Sequence, residues 1–159
     1  MTQKDNNTVP GDSQDSIVKW DNKYTTGIEL IDTQHKELVA LTNMLFRACL
    51  SGQEDSVFRE TMTRMVAYVR FHFETEQQML EGLGYPDYLN HKQQHDSMIK
   101  TILDAAKDYK EGKQFVPNKF VRALKDWIFG HIAIFDKAYA VYIAAHKEKG
   151  LLTDQQING

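Results

Sequence analysis

A chain of 159 residues with a net charge of −3, from 19 basic and 22 acidic side chains, fits one domain. Its 42% hydrophobic content is enough for one core, and the near balance of charge excludes a basic nucleic-acid-binding face or an acidic block. The single cysteine, Cys49, excludes an intramolecular disulfide and fits a reducing compartment.

The chain opens on MTQKDNNTVPGDSQDS, which has no apolar centre. It is therefore not a signal peptide, and residues 1–17 read as a disordered polar tail. No apolar run approaches the ~20 residues needed to span a bilayer. The expected location is the cytoplasm, with no membrane insertion. Next comes WDNKYTTGI at 20–28. Trp20, Tyr24 and Ile28 together predict an ordered arm docked on the main body rather than a loose linker.

Breaks at Ser51–Gln53, at Gly82, Gly84 and Pro86, and between Gly112 and Pro117 divide the rest. They leave four predicted helices, roughly 32–50, 54–82, 86–111 and 117–146, and a weakly ordered C-terminal tail over 147–159. No segment alternates with period two, so strands are not expected. Each predicted helix carries an apolar seam in steps of three and four. The first seam is His35, Leu38, Thr42, Leu45, Cys49, with Cys49 as a small buried hydrophobe. The second is Met62, Met65, Val69, His72, Glu76, Met79, Leu83. The third is Tyr88, His91, His95, Met98, Ile102, Ala106, Tyr109. The fourth is Phe120, Leu124, Trp127, His131, Phe135, Ala138, Tyr142. Short connections make consecutive helices antiparallel neighbours. The fold expected for 18–146 is all-α, an antiparallel up-down-up-down four-helix bundle with an ordered N-terminal arm.

Every seam contains a histidine at a core position. His72 and Glu76 are four apart, as are His91 and His95, so each pair shares a helix face. In an antiparallel hairpin the two pairs lie at matched distances from the turn at 82–86 and face each other. One such pair alone is a weak signal. Five histidines and a glutamate on inward faces are another matter, because each unsatisfied buried polar group costs about 2–7 kcal/mol. Metal ions neutralise carboxylates and take imidazole lone pairs, so a metal centre is expected. Asp136 is the awkward member. It lies five residues after His131, an offset of about 140° on a regular helix, and reaches the site only between two helix faces or through a local π-bulge.

The donor set is imidazole and carboxylate without thiolate, which suits iron, zinc, copper or nickel. Five imidazoles, two bridging carboxylates and one bridging oxygen fill all but one position of two six-coordinate ions. An open position on a redox metal is where a small diatomic ligand binds. The aromatics Phe73, Trp127, Phe129, Phe135 and Tyr139 read first as core.

These residues resemble the single-domain bacterial members of the hemerythrin family. The resemblance spans about residues 18–146 and rests on Trp20, Tyr24, Gly27-Ile28, Ile31-Asp32, Gln34-His35, His72-Phe73 with Glu76, His91, His95, Trp127, His131-Ile132 and Asp136. It implies two non-heme irons joined by an oxo or hydroxo bridge. His35 and His72 would hold one iron, His91, His95 and His131 the other, with Glu76 and Asp136 bridging. Dioxygen is the implied ligand, beside an oxygen pocket with Ile128 and Trp127. Two departures stand out. Gln77 follows Glu76 where the family often has a second glutamate, and Ile128 replaces a common leucine. His146 matches no ligand position and reads as an exposed helix-end residue.

The expected function is reversible dioxygen binding for carriage, storage or delivery. It is not catalysis, and no catalytic residue is assigned. The alternatives are a di-iron enzyme acting on nitric oxide or peroxide, and an oxygen or redox sensor. A charged exterior with no second seam predicts a monomer, and an unidentified oxygen-consuming protein is a candidate partner.

Overall fold

The structure, a computed structural model, describes residues 15–51, 55–113 and 117–158. Four main helices form the bundle: α1 (Glu29–Leu50), α2 (Asp55–Gly82), α3 (Tyr88–Lys110), and a long rod made of α4 (Pro117–His131), a π turn (Ile132–Asp136) and α5 (Lys137–Glu148). The expected antiparallel four-helix bundle is therefore the observed architecture. The 1–14 part of the expected polar tail lies outside the described residues.

The N-terminal arm is ordered, as its aromatics predicted. Asn43 of α1 pins its start: the Asn43 side-chain oxygen accepts from the backbone N–H groups of Ile17 and Val18, and its amide donates to the Val18 carbonyl at 2.9 Å. Tyr24 is buried, with its ring 5.2 Å from that of Phe129 on α4. Helix α1 begins three residues earlier than the break pattern suggests. Asp32 in its first turns accepts from Thr26 N–H, Thr26 Oγ1 and Gly27 N–H, and a carboxylate near a helix N-terminus is favoured by the helix dipole. Gly27 takes the left-handed φ of 81° that this reversal needs.

At the other end of the hairpin, Gly84 sits at φ 63° and the Tyr85 N–H bonds the Leu80 carbonyl at 3.0 Å. This six-residue closure ends α2 and turns the chain into α3.

The core falls into two parts. The larger holds Leu38, Leu45, Met65, Val69, Ile102, Leu124 and Ile128. The smaller, at the far end, holds Ile31, Leu80, Tyr139, Ile143 and Ile157. Between them lies the polar layer described below.

Three expectations need correction. The C-terminal stretch is not a loose tail: Asp154–Asn158 forms a short helix, α6, and Ile157 is buried against the smaller cluster. Its apolar Leu152 and Ile157 give it a face to dock, and Lys147 pairs with Asp154 across the turn. The fourth seam is also displaced. Beyond His131 the buried positions on the rod are Ile132, Asp136, Tyr139, Ala140 and Ile143, while Ala138 is exposed and Phe135 and Tyr142 are half-buried. The π turn adds one residue to the rod and rotates everything after it by one position. Third, the rod over residues 117–148 is long and apolar enough to cross a membrane by length and composition, although no uninterrupted run is. Its apolar 18-residue window is 44% buried inside the bundle, so its apolarity also serves the core.

Candidate metal centre

Helical periodicity places the donors in one layer. His35 on α1, His72 and Glu76 on α2, His91 and His95 on α3, and His131 and Asp136 on the rod are all at most 5% exposed. The i, i+4 pairs on α2 and α3 face inward as their spacing requires. Asp136 joins them through the π turn. Its Oδ1 lies 2.8 Å from His91 Nε2 and 3.1 Å from His131 Nε2, and its Oδ2 lies 3.2 Å from His35 Nε2. A turn closed by i→i+5 bonds sets residue i+5 about one turn above residue i, which removes the angular offset of a regular helix.

All five imidazoles present Nε2 to the two carboxylates. Glu76 Oε1 is 3.6 Å from both His35 Nε2 and His72 Nε2, and Glu76 Oε2 is 3.3 Å from His95 Nε2. Each carboxylate thus offers one oxygen to either side. The donor atoms fall into two overlapping groups, each with its atoms within 4.8 Å of one another: His91, His95, His131, Glu76 and Asp136 in one, His35, His72, Glu76 and Asp136 in the other. Both carboxylates belong to both groups. The structure brings all seven sequence-nominated residues together. His146 stays apart: it is half-buried rather than exposed, and its Nδ1 bonds the Tyr142 carbonyl at 2.8 Å.

The electrostatics of the layer follow from burying two carboxylates among five imidazoles. Burial opposes ionisation of Glu76, as does the Asp136 charge, but the imidazoles of His72, His35 and His95 outweigh both and hold the carboxyl below its usual range. Burial likewise opposes ionisation of Asp136, and hydrogen bonds from His131, His35 and His91 hold it well below. Burial disfavours charge on His35, yet the Asp136 and Glu76 carboxylates beside it push its pKa up to about 10. Against the same burial, Asp136 raises His91. Burial prevails at His72, lowering it to about 4, and at His95, also lowered. The protonated His35 imidazole therefore offsets part of the charge of the two carboxylates.

That partial balance leaves donors unused. His35 Nε2, Glu76 Oε2 and Asp136 Oδ2 are buried close to an imidazole or carboxylate atom but in no well-aligned hydrogen bond, and His95 Nε2 meets His131 Nε2 at 3.1 Å. Inward lone pairs at this density, in a site with carboxylates, fit cations better than protons. The residues present therefore suit a pair of metal ions.

Further residues reach the layer without a role read from the sequence. Tyr139, fully buried, donates its hydroxyl proton to Glu76 Oε1 at 2.5 Å. Its position three residues after Asp136, on the same helical face, was the available signal. Gln34 accepts from His72 Nδ1–H at 2.8 Å, and the Tyr24 carbonyl lies 3.4 Å from His35 Nδ1. Phe73 stacks on His95 at 3.7 Å between centroids and 3° between planes. Of the two nominated pocket residues, half-buried Trp127 stacks on His131 at 4.9 Å and 12°. Ile128 is buried one turn before His131.

Comparison with known proteins points the same way. Residues 26–142 match the family described as "Hemerythrin HHE cation binding domain". A bacteriohemerythrin of Stenotrophomonas maltophilia (strain R551-3) is 30% identical over 131 residues, covering 82% of this chain and 84% of the relative. One of Methylococcus capsulatus is 27% identical over 123 residues, covering 77% and 93%. The crystal structure of a wild-type hemerythrin superposes with a TM-score of 0.75 at 27% identity, over 79% of this chain and 96% of the other. A match across the whole bundle, with the histidine–carboxylate layer inside the matched residues, makes this chain a member of the hemerythrin HHE cation binding domain family.

Proposed function

We propose that the protein binds dioxygen reversibly at a non-heme di-iron centre, as a carrier or store rather than an enzyme. The observation that supports this most is the pair of overlapping donor groups sharing Glu76 and Asp136. One group contains three imidazoles and the other two, so the side of His35 and His72 would offer an ion fewer protein donors. When bound, iron supplies the redox chemistry by which dioxygen is taken up and released.

The protein's own residues do the rest. Glu76 and Asp136 span both sides and would hold the ions as a pair. His35, with its Nδ1 at the Tyr24 carbonyl, and His72, with its Nδ1–H on Gln34, turn their Nε2 atoms inward. The stacked Phe73 and Trp127 rings and buried Ile128 keep the layer dry. A water-poor, histidine-rich site suits reversible binding. Strong oxygen activation is the habit of di-iron sites richer in carboxylate.

The test is elemental analysis followed by visible spectroscopy. Purified protein is expected to carry about two irons per chain, the number implied by two donor groups with shared bridges. The anaerobically reduced form is expected to gain a visible band on exposure to air and lose it on deoxygenation. One zinc and no iron after anaerobic iron reconstitution would overturn the di-iron reading. Rapid turnover of nitric oxide or peroxide would favour an enzyme instead.

A further inference from the structure

Every imidazole that holds a metal through Nε2 must carry its proton on Nδ1, and the partner of that N–H sets both the ring's orientation and its electron donation. A carboxylate partner draws the proton and makes the ring a stronger donor. A neutral partner fixes the ring and leaves it weaker.

Among the described residues no carboxylate reaches a ring Nδ1 in this layer. His35 has the Tyr24 carbonyl, His72 has Gln34 Oε1 at 2.8 Å, and His95 has the amide of Gln77 at 3.3 Å. His91 Nδ1 and His131 Nδ1 have no hydrogen-bond partner. The two amides are divided between the halves of the site: Gln34 serves the two-histidine group and Gln77 the three-histidine group.

The amides are held differently. Gln34 is buried, and its Nε2 lies 3.3 Å from Thr75 Oγ1, so its carbonyl oxygen is committed to His72 Nδ1–H. Gln77 is half-buried and meets His95 Nδ1 with its Nε2. In that pairing the ring accepts, and His95 Nε2 keeps its proton toward Glu76 Oε2 at 3.3 Å. A half-turn of the amide presents Oε1 to an Nδ1–H and leaves Nε2 bare. An amide serves both tautomers, whereas a carboxylate serves only the second.

We propose that Gln34 and Gln77 are positioning residues for the metal pair, one in each half, and that their neutrality poises the centre toward its reduced form. Gln34 locks His72 in the metal-ready tautomer. By rotating its amide, Gln77 lets His95 move its proton through solvent from Nε2 to Nδ1, which frees the Nε2 lone pair for a metal ion. Because neither carries charge, both rings donate less to the metals than carboxylate-backed rings would, and the higher oxidation state is less favoured. This rests on the di-iron reading above.

The experiment is anaerobic titration of the metal-free full-length protein with ferrous iron, then spectroelectrochemical measurement of the midpoint potential. It compares wild type with Gln34→Leu, Gln77→Leu, Gln34→Glu and Gln77→Glu, with helicity checked by circular dichroism. The leucine variants are expected to bind iron about 10–100-fold more weakly. The glutamate variants are expected to recover tight binding and to show a lower midpoint potential than wild type. A role in packing alone would not move the potential of a fully loaded isosteric variant. Leucine variants that bind as tightly as wild type, or loaded glutamate variants with an unmoved potential, would overturn the proposal while leaving the di-iron reading intact. A wild type that takes up no pair of irons would overturn both.

Discussion

His131 Nε2 and Asp136 Oδ1 lie 3.1 Å apart, although five residues separate them along one continuous rod. The π turn Ile132–Asp136 makes this possible, and it makes Asp136 the residue whose two oxygens address both halves of the site. Glu76 does the same from α2. Replacing either with Ala is expected to remove an anchor from both ions at once. Iron content should fall from about two per chain to about one or fewer, and the spectrum of the coupled pair should disappear. His146→Ala, which alters no atom of the layer, is expected to retain both. Full iron and an unchanged spectrum in Asp136→Ala would remove that residue from the ligand set.

Removing the metal should cost stability as well as colour. The layer buries His35 Nε2, Glu76 Oε2 and Asp136 Oδ2 in no well-aligned hydrogen bond. An ion that binds only the folded state at about 1,000 times its Kd stabilises by about 4 kcal/mol. For a domain of this size that corresponds to roughly 10 °C in Tm. Calorimetry of the loaded protein and of protein stripped by an anaerobic chelator measures the difference. Coincident transitions would show that the metal does not bind this layer.

The metal-free protein should be most stable near neutrality. His72 is depressed from 6.5 to about 4, so the folded state favours its neutral form; that contribution is full above 6.5 and is lost as pH falls toward 4. His35 is raised from 6.5 to about 10; its contribution is full below 6.5 and is lost as pH rises toward 10. Loading requires His35 to lose its proton, so iron uptake at pH 7 should release protons and weaken on acidification. Titration calorimetry in two buffers of different ionisation enthalpy counts those protons. Equal apparent enthalpies in both would contradict a protonated His35.

Ile128 lies on the rod one turn before His131, is 2% exposed and belongs to the larger core cluster. A helical side chain leans back over the preceding turn, so this residue screens the layer from the direction of Leu124 and Trp127. Ile128→Ala is expected to admit water and speed the loss of the oxygenated form several-fold. The cavity should cost about 2–5 kcal/mol without unfolding the bundle. Stopped-flow decay of the oxygenated spectrum, with circular dichroism of both proteins, makes the comparison. Equal decay in two folded, fully loaded proteins would reduce Ile128 to core packing.

Periodicity alone determined much of this protein. Steps of three and four brought His72 with Glu76 and His91 with His95 onto inward faces, because a helix repeats every 3.6 residues whatever surrounds it. The same rule, with Gly84 and Pro86 as breaks, determined the hairpin that sets those pairs opposite each other. Asp136 was legible as a residue type but not as a position. Whether a turn widens to i→i+5 depends on what the wider turn gains, here contacts from Asp136 to three imidazoles on three helices. The same widening displaced the seam to Tyr139 and Ile143, which a uniform period could not anticipate. Gln34, Gln77 and Tyr139 gained their roles only in the folded chain, since a polar side chain beside a seam faces solvent or site according to the neighbouring helix. Ile157 was decided in the same way: one isoleucine in a polar stretch has no periodic signal, and only the apolar end of the bundle, formed by Leu80, Tyr139 and Ile143, offers it a place to be buried.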